Sequence, residues 1–186
     1  YGFRLSSNNQ NIIREDTVRK ESLNAIYNVG YEYIQKYFNP IERYRAVEFE
    51  RDWNRPVTAP VNTDQNVGFL QAGIQKGNRM KLLYGINFFD EGSFYQGLKH
   101  SITSFYNTKT TSVNYSGSYL TSNYLSQRSG FYRHKSLISQ DVWKVKLNFL
   151  DEFERNEFRN SGSDSLLPRS YQFWEWEGNI TNKDTT

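Results

Sequence analysis

The chain has 186 residues, with 23 Lys and Arg against 20 Asp and Glu, a formal net charge of +3 and no cysteine. This charge is too small and too dispersed to predict nucleic-acid binding, and the lack of cysteine excludes disulfides and thiolate metal sites. No apolar run approaches the roughly 18 residues of a transmembrane helix. Aromatic residues make up 17% of the chain, which favours strands because aromatic side chains suit a pleated surface.

Both ends of the sequence resemble cuts in a longer chain. It starts at Tyr1 without a methionine or a charged and apolar leader, and it ends in the polar run 182–186. We therefore expect residues 1–186 to be a single β-meander segment of a larger protein. The missing leader then carries no information on secretion.

Alternation with a period of two predicts eight strands. The clearest example runs from Thr111 to Asn123, where Val113, Tyr115 and Tyr119 fall on one side and serines and asparagines on the other. A period of two that persists this long indicates strand and not helix. The predicted strands are 23–37, 66–75, 79–89, 94–106, 111–123, 130–139, 142–150 and 170–181.

Turn residues join these strands into a meander. Tight turns are predicted at 76–78, 90–93, 107–110 and 140–141, where Gly, Asn, Asp and Thr cluster. The chain then divides into an initial strand with a long charged loop at 1–65, a hairpin meander at 66–150, a long loop at 151–169 and a further strand at 170–186. In the last loop, Leu150, Phe153 and Phe158 could line one side of a short helix.

The lengths of the strands and loops favour an outer-membrane β-barrel. Most predicted strands exceed the usual strand of roughly 5 to 6 residues and match the roughly 9 to 11 residues that cross a bilayer at a tilt. In a meander, successive connections alternate between the two ends of the sheet. Here the turns 76–78, 107–110 and 140–141 share one end, whereas the long loops 38–65 and 151–169 share the other, as in outer-membrane barrels.

The strand pattern also assigns side chains to two faces. One face should be apolar and the other polar, since the residues of a strand alternate between faces. The predicted apolar set is Leu82, Tyr84, Ile86, Val113, Tyr115, Tyr119, Trp143, Val145 and Leu147, and the predicted polar set is Lys81, Ser112, Asn114, Ser116, Lys144 and Lys146. Tyr and Trp concentrate at membrane interfaces. The candidate interface aromatics are Tyr84, Tyr115, Tyr119, Trp143, Trp174 and Trp176.

The segment from Tyr44 to Pro56 is dense in charges around aromatic residues. Reciprocal pairs between arginines and carboxylates would hold a long loop folded, or hold a plug-like segment against the wall of a lumen. The same spacing also suits a solvated, charged strand end. The sequence leaves these alternatives open.

No residue pattern carries a reaction, so no catalytic, cofactor-binding or metal-binding residue is assigned. Glu175 and Glu177 would share one strand face about 7 Å apart, beside tryptophans that could stack on sugars, as in a carboxylate-based glycosidase. The two histidines, His100 and His134, have no partner at metal-ligand spacing. The run 160–165 resembles a calcium loop only loosely. We expect a protein that is not an enzyme and that needs no cofactor.

Four stretches resemble large outer-membrane surface proteins of Gram-negative bacteria that use the type IX secretion system. They are 44–54, then Phe131-Tyr132-Arg133-His134, then 156–159 with 164–167, and then Phe173-Trp174-Glu175-Trp176-Glu177. The set is similar to the giant-barrel SprA translocon family or to a relative of it. The resemblance covers about a quarter of the chain and includes no catalytic or ligand motif. It implies an outer-membrane location, outer-membrane lipid as a partner, and secreted proteins or other secretion components as further partners.

The sequence therefore predicts an all-β fold, an antiparallel up-and-down meander of long strands that is a segment of an outer-membrane β-barrel. The expected role is structural, or in transport or protein secretion, at the cell surface. The alternative is a soluble β-sandwich that binds carbohydrate through its Trp and Tyr face, with the glycosidase as a weaker form of it. In a sandwich, the apolar residues would face a second sheet about 10 Å away.

Overall fold

The structure is a computed structural model that describes residues 2–16, 21–37, 52–55 and 63–182. These residues form a single antiparallel sheet of nine strands in sequence order. The strands are β1 (Gly2–Asp16), β2 (Glu21–Ile34), β3 (Gln65–Lys76), β4 (Met80–Asp90), β5 (Tyr95–Asn107), β6 (Thr111–Tyr124), β7 (Gln127–Val142), β8 (Val145–Asn160) and β9 (Tyr171–Asn182). The all-β antiparallel meander that the sequence predicts is confirmed.

The sheet is open and does not close into a barrel. Within the described residues β1 pairs only with β2, and β9 pairs only with β8. Because all eight pairs are antiparallel, β1 and β9 run in the same direction. No described helix is long and apolar enough to cross a bilayer.

Two parts of the sheet depart from the sequence prediction. The strand β1 was not predicted, and it pairs with β2 along most of its length. The loop predicted at 151–169 is wrong over 151–160, because β8 continues to Asn160 and the proposed short helix does not form. The alternating charged and aromatic residues of this part find cross-strand partners on β7, such as Tyr132 opposite Arg155 and Lys135 opposite Glu152.

The turns agree with prediction where glycine supplies the required backbone. Gly77 and Gly92 have φ of 49° and 62°, a left-handed conformation that glycine adopts without a steric cost. The turn predicted at 140–141 is wrong. Both residues belong to β7, and the chain turns instead at 143–144, where Trp143 has φ of 54°.

The connections define two ends of the sheet. We call the end with the connections 77–79, 108–110 and 143–144 the turn end, and the end with the connections 91–94, 125–126 and 161–170, where β2 also ends and β3 begins, the loop end. Both long connections, 35–64 and 161–170, lie at the loop end, as predicted. The connection 125–126 is only two residues long.

The register defines two faces, because directly paired residues share a face. What we call the aromatic face carries Tyr27, Leu70, Leu82, Tyr84, Ile86, Phe88, Ile102, Val113, Tyr115, Tyr119, Ile138, Val145, Leu147, Phe149, Trp174 and Trp176. What we call the polar face carries Lys81, Lys99, Ser101, Ser112, Asn114, Ser116, Ser118, Arg133, Lys135, Lys146 and Asn148. The predicted faces are confirmed except at Trp143 and Lys144, which lie in the turn.

Aromatic rings cover two of the strand glycines. Gly68 faces Phe88 on the neighbouring strand, and a Cβ atom at Gly68 would collide with the Phe88 ring. Gly30 and Phe69 are related in the same way between β2 and β3. Such pairs replace the missing side chain with a ring and fix the register of the strands.

Candidate functional site

Burial in this sheet is inverted relative to an ordinary soluble sheet. The large side chains that are exposed include Tyr84, Tyr119 and Trp174, all on the aromatic face. The apolar side chains that are buried in the sheet, such as Phe89 and Leu120, lie on the polar face. Residues 52–55 from the connection between β2 and β3 cover Phe89 and Leu120. The candidate site is therefore on the polar face.

Trp53 anchors the 52–55 segment to the polar face. It is 5% exposed and lies in an apolar cluster whose other members come from β4, β5, β6 and β7: Phe89, Tyr95, Leu120 and Phe131. The rings of Trp53 and Phe89 have centroids 5.6 Å apart in an edge-on arrangement. The Tyr95 hydroxyl donates to the backbone oxygen of Trp53. Trp53 thus holds the segment on the polar face by side-chain packing and by a backbone hydrogen bond.

Arg55 supplies a buried ionic anchor. Its Nε atom lies 2.7 Å from Oε2 of Glu91, and Nε2 of Gln65 donates to Oε1 of the same carboxylate at 2.7 Å. The side chains of Arg55 and Glu91 are 3% and 0% exposed. A buried charge is tolerated only when it is paired and hydrogen-bonded. Glu91 meets this condition, since both of its oxygens accept a hydrogen bond.

Asp52 and Asn54 attach the segment to β5 and β7 by polar contacts, and to β8 as a further strand. Asp52 accepts from Arg133 on β7 at 2.9 Å and lies 3.5 Å from the Lys99 ammonium on β5. Asn54 exchanges amide hydrogen bonds with Asn156 on β8, at 3.0 and 3.1 Å, and donates to Ser129 Oγ at 3.1 Å. All four residues of the segment therefore contact the polar face, and their partners extend from the β4–β5 connection to β8.

The connection between β2 and β3 is also fastened where it joins the sheet. Asp64 accepts hydrogen bonds from the Lys36 backbone N–H at 2.8 Å and from the Tyr33 hydroxyl at 2.9 Å. These hydrogen bonds hold the pKa of the Asp64 carboxyl below its ordinary value, with the backbone N–H as the larger cause. The two ends of the connection are thus held together at the loop end.

Below the segment, toward the turn end, the polar face carries a groove of about 300 Å³. Its lining is mainly hydroxyl groups and paired charges: Lys99, Ser101, Thr103, Ser116, Ser118, Arg133, Lys135 and Glu152. Lys135 and Glu152 are 2.8 Å apart. These groups can bind water and polar solutes. Nothing in their arrangement supplies a nucleophile with a base beside it.

Five of the six candidate interface aromatics lie on the aromatic face: Tyr84, Tyr115, Tyr119, Trp174 and Trp176. Trp143 does not, because it occupies the turn between β7 and β8, where it is 86% exposed. Tyr115 is half-buried because its ring lies beside that of His134. A location at a membrane interface stays a prediction for all of them.

Both histidines lie on the aromatic face, and each has a hydrogen-bond partner. Nδ1 of His100 is 2.6 Å from the Tyr84 hydroxyl. Nε2 of His134 is 2.8 Å from Asp151, whose other carboxylate oxygen accepts from the Trp174 indole at 2.8 Å. These contacts give the polar groups in the middle of the aromatic face hydrogen-bond partners.

The remaining candidates gain no geometric support among the described residues. Glu175 and Glu177 lie on the polar face of the exposed edge strand β9, away from any enclosed cleft. No group of three or more His, Cys, Asp or Glu side chains in the described part of the chain could hold a metal ion. Only residues 52–55 of the predicted plug-like segment fall within the described residues, and 44–51 and 56 lie outside them.

Sequence reasoning singled out the charged segment but not the residues that receive it. Glu91 lies in the connection after β4, and Lys99, Arg133 and Asn156 lie on β5, β7 and β8. Nothing in the spacing of these polar residues distinguishes them from solvent-facing neighbours. The comparisons with known proteins add no relative: no family model matches the chain, and neither does any curated protein or solved structure.

Proposed function

We propose that this sheet is part of the wall of an outer-membrane β-barrel with a structural, transport or protein-secretion role, and that it is not an enzyme. The aromatic face meets lipid, and the polar face lines the lumen. The observation that carries the proposal is the inverted burial, with large apolar side chains exposed along one entire face. Soluble monomers rarely expose contiguous apolar patches larger than a few hundred Å².

The apolar band crosses the strands at the tilt of a barrel. One hydrogen-bonded row on the aromatic face runs from Met80 on β4 to Phe149 on β8. On β4 this row is the last one at the turn end, because β4 begins at Met80. On β8 the strand extends four residues farther toward the turn end, from Phe149 to Val145. A shift of four residues over four strands is one residue per strand. At about 3.3 Å per residue and about 4.8 Å between strands, this corresponds to a tilt of about 35°, within the range for membrane barrels.

The polar edge of the band at the loop end shifts in the same direction. On β4 the polar residues begin at Asp90. On β8 they begin at Arg155, which lies in the same row as Ile86 of β4. Ile86 is four residues nearer the turn end than Asp90. On β4 the band extends from Met80 to Phe88, which is about 26 Å along the strand at about 3.3 Å per residue, or about 22 Å in height at this tilt. The apolar band of outer-membrane barrels is about 25 Å tall.

In this arrangement the 52–55 segment lies inside the barrel. β2 ends and β3 begins at the loop end, and residues 52–55 of the connection between them lie against the polar face, so these residues narrow the lumen near that end. The paired charges and hydroxyl groups of the groove below it form a hydrated wall. We propose that this segment restricts what passes, by size and by charge.

Closure requires strands beyond these nine. A direct pair between β9 and β1 would be parallel, whereas bacterial single-chain barrels are antiparallel with an even number of strands. An open edge within lipid would leave backbone groups without partners, each at a cost of several kcal/mol. We therefore propose that an odd number of further strands joins the two edges. Among barrel functions, the resemblance to the SprA-like family favours protein secretion.

Residues 1–186 contain no cysteine, so single cysteines can be introduced here to test the two faces. Single cysteines at successive positions from Ser112 to Tyr119 on β6 would carry nitroxide spin labels in the full-length protein, freed of any cysteine elsewhere, in lipid vesicles. Collisions with oxygen, which is enriched in lipid, should be most frequent at the odd positions. Collisions with a water-soluble nickel complex should be most frequent at the even positions.

The control is fractionation of cells that produce the unlabelled full-length protein. The proposal requires that it sediment with membranes and need detergent for extraction. Recovery in a soluble fraction, together with equal accessibility of the two faces to the nickel complex, would exclude the barrel. Low accessibility of the odd positions to both reagents would instead support the carbohydrate-binding sandwich, in which a second sheet covers them.

A further inference from the structure

A groove on the aromatic face lies outside the site described above. It has a volume of about 440 Å³, and its lining is Tyr119, Gly130, Tyr132, Phe153, Arg155 and Glu157. By register all six residues lie on the aromatic face, on β6, β7 and β8. Gly130 has no side chain to fill the space between the rings, which leaves an apolar channel with charged groups at the loop end.

Two arginines lie directly opposite each other just beyond this groove. Arg128 on β7 pairs with Arg159 on β8, and Asn123 on β6 is the next residue in the same row. Paired residues of neighbouring strands have Cβ atoms about 5 Å apart, and like charges at that distance destabilise a sheet. Such a pair is favourable when an anion lies between the two side chains.

The charges nearby leave this corner positive. Nη2 of Arg159 donates to Glu157 at 3.0 Å, and Arg155 forms an ion pair with the same carboxylate. Two arginines thus share one glutamate, and Arg128, a third arginine at this corner, has no ion pair within the described residues. The Nε atom of Arg159 is buried and lacks a hydrogen-bond partner among the described residues. Guanidinium groups bind phosphate through two parallel hydrogen bonds, and Arg128 and Arg159 place two such groups side by side.

We infer that this groove binds an anionic lipid that carries phosphate, from the membrane leaflet that meets the loop end. The phosphate lies between Arg128 and Arg159, and an acyl chain runs toward the turn end over Gly130 and beside Tyr132 and Phe153. This inference rests on the proposed function, because it places the aromatic face in lipid. The site is apolar at one end and cationic at the other, which selects an amphiphile over a free anion.

The test uses native mass spectrometry of the full-length protein, extracted in detergent and mixed with equal amounts of phosphatidylglycerol and phosphatidylcholine of identical chains. The wild-type protein should retain phosphatidylglycerol in preference. The double variant Arg128→Gln/Arg159→Gln should reduce that preference about tenfold, which corresponds to about 1.4 kcal/mol. The matched control is Lys109→Gln/Lys144→Gln, which removes two charges at the turn end and should leave the preference unchanged.

A second variant keeps both arginines and fills the channel. An added Cβ at Gly130 would meet only the Tyr119 hydroxyl, at 3.7 Å, so Gly130→Leu is compatible with the strand. It should also reduce lipid retention. This variant decides the question if the double arginine variant fails to reach the membrane.

The outcomes separate the two proposals. Membrane-extracted protein that shows no preference, or that loses its preference equally in the lysine control, would overturn the lipid site and leave the barrel intact. Displacement of the bound lipid by excess inorganic phosphate would show an anion site without a role for the acyl chain, and would also overturn it. Recovery of the protein without detergent would overturn the barrel and the lipid site together.

Discussion

The buried ion pair between Arg55 and Glu91 gives the sharpest test of how the 52–55 segment is held. The change is Arg55→Met, which keeps an unbranched side chain of similar length and removes the charge. Glu91 is then a carboxylate with a fully buried side chain whose remaining side-chain partner among the described residues is Gln65, at 2.7 Å. Breaking a buried pair by removing one partner typically costs about 3 to 5 kcal/mol.

The matched comparisons come from the same chain. Glu91→Leu in the Arg55→Met background removes the stranded carboxylate, so the double variant should be more stable than Arg55→Met alone. The pair of Lys135 and Glu152 has the same kind of contact, at 2.8 Å, but its side chains are 55% and 36% exposed. Lys135→Met should therefore cost less than about 1 kcal/mol.

The measurement is the free energy of unfolding in urea, for the full-length protein in lipid vesicles, with ion conductance as a second readout. Conductance should rise in Arg55→Met, because a segment released from the polar face no longer narrows the lumen. If Arg55→Met lowers the free energy of unfolding no more than Lys135→Met does, the segment is not held by a buried ion pair. The same conclusion follows if the double variant loses as much stability as the single variants Arg55→Met and Glu91→Leu lose when their effects are added.

Three further predictions concern the faces, the glycines and the loop. Ile86→Arg, near the middle of the apolar band, should cost about 2 to 4 kcal/mol in a bilayer and Met80→Arg at its edge only about 0 to 1; equal costs from urea unfolding in vesicles would contradict a lipid-facing band. Gly68→Val should cost about 1 to 3 kcal/mol in the same assay, because the new side chain displaces the Phe88 ring, and a neutral effect would show that the ring moves freely. The pKa of Asp64 is lowered in the folded protein, so its hydrogen bonds stabilise the fold fully at pH values above the ordinary carboxyl pKa. This stabilisation is lost as the pH falls through the lowered pKa. The difference in unfolding midpoint between wild type and Asp64→Ala should thus be present at neutral pH and shrink below about pH 4; a difference that persists in acid would assign the effect to packing.

The period-two pattern alone determined the central part of the sheet. Between Met80 and Tyr124 most aliphatic and aromatic residues recur at every second position, so each strand has one orientation that places most of them on the same face. Glycines at 77 and 92 permit a left-handed backbone and mark two of the turns. Strand identity, strand order and face assignment here are local properties, and the sequence predicts them.

Where both faces are polar, the sequence gives no such signal. β1 contains the run Ser6 to Asn11, which has no apolar side, and it is a strand because β2 offers a complete set of backbone partners. The same holds for 151–160, where charged residues on both faces pair with β7. The pairing of β7 with β8 also decides where the chain turns, in spite of the turn-forming residues at 140–141. The chain turns at Trp143 despite the cost of a left-handed backbone at a bulky residue, because β7 and β8 pair as far as Val142 and Val145.

Only the tertiary structure decided where the charged segment goes. Its composition predicted ion pairs but named no partner, since Glu91, Lys99, Arg133 and Asn156 are separated from it by tens of residues. These groups converge because antiparallel pairing brings four strands side by side and leaves Phe89, Tyr95 and Leu120 as an apolar surface for Trp53. Likewise, alternation assigned the aromatic residues to one face, but the absence of a second layer over that face among the described residues is a property of the assembled sheet.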